Sequence, residues 1–248
     1  QFSYESLRAD GSVSASVLPK GFRAETGFIT RSDVITVDAS GRLKAYPRVG
    51  PASQVRLSPM DISVVTDTTG RPLDLGLSTS VNAQLARNSG AELWLETREE
   101  QVDGVWLSYS EVGVLLSGEP SRWLELGAWV GGGEGPSYDL LEVGGRARAS
   151  AWSTLKLGRR VRVGGSLNYD QLRLDDAFLY QGYVARGSVN VYATRAHYAR
   201  LLYDHSGFTG YDRAQLLLAW QQGPNKAAWL GALVSEEEEG VGWQVFGK

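Results

Sequence analysis

The chemistry open to this chain is bounded by its rarest side chains: it has two histidines, His197 and His205, and no cysteine. The lack of cysteine removes disulfide scaffolds, thiolate metal sites and cysteine nucleophiles. A hydrolase would need a histidine held by a carboxylate and facing a hydroxyl nucleophile. The nearest such grouping is Asp204-His205-Ser206. Consecutive residues on a strand point to opposite faces, so this triplet does not form a triad by itself, and no enzyme activity is expected. The run Glu236-Glu237-Glu238-Glu239 lacks the spaced Asp and Asn partners of a calcium loop and reads as a solvated hairpin tip. Gly131-Gly132-Gly133-Glu134-Gly135-Pro136 lacks the spacing and the following helix of a phosphate loop. No metal and no other cofactor is expected.

The elements that would position these residues announce themselves by alternation. From Leu73 to Leu85 the odd positions are Leu73, Leu75, Leu77, Thr79, Val81, Ala83 and Leu85, against Asp74, Gly76, Ser78, Ser80, Asn82 and Gln84. That period of two fits a strand and no helical template. It recurs over 143–157, 161–170 and 183–194, with fainter versions over most of the remainder and a short extra at Phe2–Arg8. Asp10-Gly11, Asp103-Gly104, Gly118-Glu119-Pro120 and Gly223-Pro224-Asn225 supply turn chemistry between the strands. No helix and no linker is read, so residues 1–248 form one domain.

With 42% hydrophobic and 21% charged residues the chain is not disordered. Its net charge of −3 gives no global attraction to nucleic acid, and none is expected as a partner. No apolar stretch approaches the roughly 18 residues of a membrane-crossing helix. No basic-then-apolar leader opens the chain at Gln1, so a secretory signal is taken as already removed. Long strands with one apolar and one continuously polar face fit an antiparallel transmembrane β-barrel of about 14 strands, with about 16 the next choice. The even number follows from antiparallel closure of first on last. A long curved sheet in a soluble protein is the alternative.

In that frame the charges separate by sign. Asp74, Glu92, Glu96 and Glu125 point inward as an acidic wall. Arg146, Arg148, Lys156, Arg162, Arg186, Arg200 and Arg213 follow on later strands as a basic wall. Opposed walls would plug a lumen or set a transverse field across it. Trp94, Trp129 and Trp152 fall in the same polar phase and read as lumen-filling rings. The segment 19–32, with Phe22, Phe28 and Ile29, is a candidate partner loop or plug.

The run Gly21-Phe22-Arg23-Ala24-Glu25-Thr26-Gly27-Phe28-Ile29 and the later Tyr198–Phe208 and Trp243–Phe246 segments carry a resemblance. They resemble a bacterial outer-membrane β-barrel family of unassigned function, whose members commonly bear an N-terminal carbohydrate-binding-like module. That module is absent here, so no sugar-binding role and no catalytic residue is implied. The resemblance implies a bacterial outer-membrane location, with outer-membrane lipid or lipopolysaccharide and other envelope proteins as partners. The function expected is a structural or anchoring subunit of an envelope assembly, and the alternative is a porin-like channel for small polar solutes.

Overall fold

A computed structural model describes residues 1–19, 33–86, 88–194, 196–221, 227–237 and 240–247. The candidate loop residues Phe22, Phe28 and Ile29, and most of segment 19–32, lie outside the described residues. The first strands are β1 (Phe2–Glu5), β2 (Ala9–Leu18), β3 (Val34–Ala45), β4 (Ala52–Asp67) and β5 (Pro72–Leu85). Then come β6 (Gly90–Val102), β7 (Val105–Ser121), β8 (Leu124–Ser137), β9 (Glu142–Leu157) and β10 (Val161–Leu174). The series ends with β11 (Ala177–Tyr192), β12 (His197–Ser206), β13 (Tyr211–Gln221), β14 (Ala227–Glu237) and β15 (Gly240–Gly247).

All fifteen belong to one sheet in chain order, each strand bonded to the next. Apart from the stretch between Leu18 and Val34, the connections are too short for crossovers. The pairings from β1 to β6 and from β10 to β15 are antiparallel, as a meander needs. At Asp103-Gly104 both central residues take positive φ, 49° and 85°, the conformation of the tight hairpin turn whose twist matches its strands.

The expectation of a closed barrel is overturned by this order. β1 and β15 are the two ends of the sheet and do not pair. The short strand at Phe2–Glu5 makes the count odd, so first and last strands run the same way and antiparallel closure is not available to them. The transmembrane-barrel fold, the outer-membrane location and the anchoring and porin roles all rested on that closure, and they fall with it. No helix among the described residues is long and apolar enough to cross a membrane.

By contacts the chain divides into two units. The first comprises Gln1–Ala86, Gly90–Val114 and Gly131–Arg146; the second comprises Arg87–Ser89, Leu115–Val130 and Ala147–Lys248. Each has one apolar and one polar face, set by the pairing register. In the first unit, Ala9, Leu43, Leu57, Val81 and Leu93 line up across β2 to β6. One residue along β5, on the opposite face, Ser58, Ser80 and Trp94 line up. In the second unit, Val163, Val189, Leu201, Leu216, Ala232 and Val245 form an apolar row across β10 to β15.

These apolar rows are not packed into a core. Among the described residues only Val34, Leu107 and Leu172 are buried hydrophobics. Leu201 is 48% exposed, Leu216 44% and Val245 60%. What tightens the polar face instead is ring-on-glycine stacking. The Trp94 ring occupies the space a Cβ on Gly113 would need, and the Trp152 ring does the same over Gly127. Covering a strand glycine with an aromatic ring recovers contact that its missing side chain would forfeit.

Candidate functional site: two polar faces

The first unit concentrates carboxylates. Ser12, Ser40, Asp61, Ser78 and Glu96 stand in one crosswise row. Beside it, Asp38 accepts a hydrogen bond from the Ser63 hydroxyl at 2.8 Å. Glu96 pairs with Arg98 two residues along the same strand, Nη2 to Oε1 2.7 Å. The sequence reading named Glu96 but not Arg98. Glu92 lies opposite Asn82, and Asp74 opposite Glu100. Glu100 accepts from the Tyr109 hydroxyl at 3.3 Å. Burial pushes the Tyr109 phenol well above its ordinary range, and the Glu100 charge adds to the shift. A cleft of about 210 Å³ opens among Asp38, Asp61, Glu96 and Arg98, and Asp61 Oδ1 is buried there without a hydrogen-bond partner among the described residues. No group of three or more potential metal ligands forms among the described residues.

At the other end of this face Lys44 Nζ sits 2.6 Å from Asp10 Oδ2. That hydrogen bond holds the Asp10 carboxyl below the usual carboxylate range. The aliphatic stem of Arg146 crowds Gly135 of the neighbouring strand.

The second unit concentrates guanidinium groups, and two of them lie over rings. Arg148 lies over the Trp129 ring at 5.3 Å, and Arg162 over the Tyr192 ring at 5.7 Å. Both distances are within cation–π range. Arg186 is paired with Asp204 on the next strand. In register, Arg162, Asn190, Arg200 and Leu217 form one crosswise row, and Ser166, Arg186, Asp204 and Arg213 another. Lys156 Nζ lies 3.4 Å from Glu125 and 3.7 Å from Glu119. Thus one residue from each of the sign-separated sets, Glu125 and Lys156, is brought together as an ion pair. Of the other residues in those sets, Glu96 meets Arg98, Arg148 the Trp129 ring, Arg162 the Tyr192 ring and Arg186 the Asp204 carboxylate; Arg98 and Tyr192 stand outside the sequence expectations.

Toward the strand ends the same face of the second unit becomes aromatic. Tyr192 and Tyr198 have ring centroids 5.9 Å apart. Trp229 meets Phe246 edge-on at 5.5 Å, and the Phe246 ring covers Gly231. A cleft of about 300 Å³ opens there, lined by Tyr198, Leu217, Ala219, Trp229 and Phe246 among others. A signal was present in the sequence, since Leu217, Ala219, Trp229 and Phe246 share a phase with the arginines. The register that assembles them across four strands was not readable from one strand at a time.

The two histidines sit on the apolar face. His197 stacks on Trp220 with an interplanar angle of 18°, and its Nδ1 is 2.9 Å from the Thr194 hydroxyl. That hydroxyl already accepts from the Ala196 and His197 backbone N–H groups, so it serves the local turn. His205 Nδ1 is 2.9 Å from Asp212, whose carboxylate also accepts from the Tyr203 hydroxyl. The Tyr203 hydrogen bond, then that of His205, holds the Asp212 carboxyl below its usual range. Asp204 is on the opposite face with Arg186.

No protein-family model matches the chain, and no curated protein matches it at a significant level. The resemblance to an outer-membrane β-barrel family therefore finds no support, and the open sheet contradicts it.

Proposed function

We propose that this chain is a non-catalytic lipid-binding sheet, whose apolar faces are covered by the hydrocarbon of a lipid or a similar amphiphile. The observation that carries this reading is the state of those faces. Rows such as Val163, Val189, Leu201, Leu216, Ala232 and Val245 stay open to solvent instead of packing on a second layer. Exposed contiguous apolar surface on this scale marks a binding face. At about 25 cal/mol per Å² of apolar area removed from water, covering it yields a large gain.

Chemistry selects the occupant. A protein interface carries about one hydrogen bond per 100–200 Å² and anchoring polar groups at its centre. The middle of this face is mostly aliphatic groups and glycine, with the exposed Trp243 ring on β15, which suits a partner with few directional demands. Polar groups return at the strand ends. There the Tyr203 hydroxyl meets Asp212, the Tyr169 hydroxyl donates to Gln171 at 2.5 Å, and Gln181 donates to Tyr169 at 3.0 Å. Side chains with a ring body and a polar tip fit the boundary between hydrocarbon and water. His205 and Asp212, held by Tyr203, complete that boundary instead of forming a reactive centre.

The test is solution behaviour and lipid retention. The chain should stay monodisperse only with a non-ionic detergent or phosphatidylcholine vesicles, and should float with the vesicles on a density gradient. Leu216→Arg should reduce flotation severalfold, while Gln215→Arg, one residue away on the other face, should leave it unchanged. A stable monomer in plain buffer, or equal responses from the two faces, would overturn the reading.

A further inference from the structure

We propose that the polar face of β10–β15 holds a site for a small amphiphilic carboxylate. Its head would lie between Arg162 and Arg200, and its apolar body in the cleft lined by Leu217, Ala219, Trp229 and Phe246. The two arginines are on the opposite face from the one assigned to lipid, so the proposal does not rest on that assignment; Trp220 and Ala228, which also line the cleft, are in the phase of the lipid face.

Three observations converge on it. The first is cationic supply. Arg162 and Arg200 share a row with Asn190 between them. Strands about 4.8 Å apart put their backbones about 10 Å from one another. Neither has an ion-pairing carboxylate among the described residues, in contrast to Arg186, which Asp204 occupies. Both are exposed, so their donors are spent on water. A carboxylate placed over Asn190 would take the two planar forks bidentately, and the Asn190 amide would add a donor at the floor.

The second observation is orientation. Arg162 rests against the Tyr192 ring, and Tyr192 against Tyr198. The cation–π contact restrains the guanidinium without consuming its hydrogen-bond donors.

The third is an apolar seat in register with the head. Leu217 pairs directly with Arg200 and lines the cleft. The next residues in that row, Gly231 and Phe246, continue it away from the charges. With about 300 Å³, the cleft is at the small end of ligand sites, roughly 300–1,000 Å³. That volume takes a medium alkyl chain or one aryl group and excludes a two-chain lipid. A bare inorganic anion would leave the cleft unused, and a neutral alcohol would leave the arginines unused.

The experiment titrates the full chain, held in phosphatidylcholine discs, with sodium octanoate by calorimetry. Octanamide, acetate and empty discs serve as comparisons. Octanoate should bind saturably, with octanamide and acetate each about tenfold weaker or more, the scale of one lost charge-assisted contact. Arg200→Ser should weaken octanoate about tenfold, and Arg200→Lys should weaken it less. Trp229→Ala should weaken octanoate while leaving the weak acetate signal unchanged. Arg213→Ser, outside the row, should have no effect. Far-UV spectra of each variant confirm the strand content before titration. The proposal is overturned if octanamide matches octanoate, if empty discs give the same heat, or if the folded Arg162→Ser/Arg200→Ser double variant binds as the parent does.

Discussion

The polar faces of the two units use the same strand period and reach opposite electrostatic solutions. In the first unit, carboxylates are met by hydroxyls and by cations close at hand: Ser63 on Asp38, Arg98 on Glu96, Lys44 on Asp10. Their charge is largely answered where it stands. In the second, Arg148 and Arg162 are met by rings, and the ring beside Arg162 stabilises the cation without taking up its N–H groups. The kind of partner, more than the number of charges, decides which face can still recognise a ligand.

Three sets of changes break or sharpen this comparison. The largest effect is expected where the units agree. Gly127→Val drives a branched side chain into the Trp152 ring, and Gly113→Val into the Trp94 ring. Each should cost about 1–3 kcal/mol through overpacking, read as a lowered denaturant midpoint. Gly187→Ala meets open space and should raise stability by about 0.5–1 kcal/mol, because alanine loses less backbone entropy in a strand. Loss from both ring-capped glycines together with gain at Gly187 would establish the stacking as structural.

Next in size is Arg186→Met, which separates pairing by a carboxylate from pairing by a ring. The Arg186–Asp204 pair is partly exposed, with relative exposures of 60% and 17%. Its loss should therefore cost no more than about 1 kcal/mol in a denaturation experiment. The corresponding change at Arg162, which has the Tyr192 ring instead, should cost about 0.5–1 kcal/mol and should also lower octanoate affinity.

The smallest effect is acid loosening of the β12–β13 hairpin. Asp212 has a folded-state pKa below the ordinary 3.8, so its ionised form is favoured by folding. Its contribution is fully present above 3.8 and is lost as pH falls through the lower folded value. Protection of the Tyr203 and His205 amides, corrected for the intrinsic exchange rate at each pH, should fall only in that acid window. In Asp212→Asn the loss of protection should be present already at neutral pH.

Much of this molecule is legible in its sequence, and what is not has a common cause. Alternation over 73–85 and 143–157 marks both strands and both faces, because burial and hydration repeat every two residues. Closure is a different kind of property. It depends on what the edge strands meet, and Phe2–Glu5 is too short to show a period, yet it changes the parity of the sheet. The arginine face was visible as a set of like charges in one phase. Its division into occupied and available members was not, because the Arg186–Asp204 pairing depends on the offset between β11 and β12. Asp204 drew attention only as a neighbour of His205, although the strand turns the two side chains to opposite faces.

The chain-order pairing of the strands also bears on how the molecule assembles and varies. Every strand pairs with its sequence neighbour, so each pairing closes only a short loop and little entropy is lost before a contact forms. Folding of this kind advances as a zipper, each new hairpin extending an existing edge, and suits a chain emerging residue by residue. By the same topology, deleting or duplicating one hairpin leaves every other pairing intact. Strand number is therefore the feature of this architecture with the widest latitude to drift.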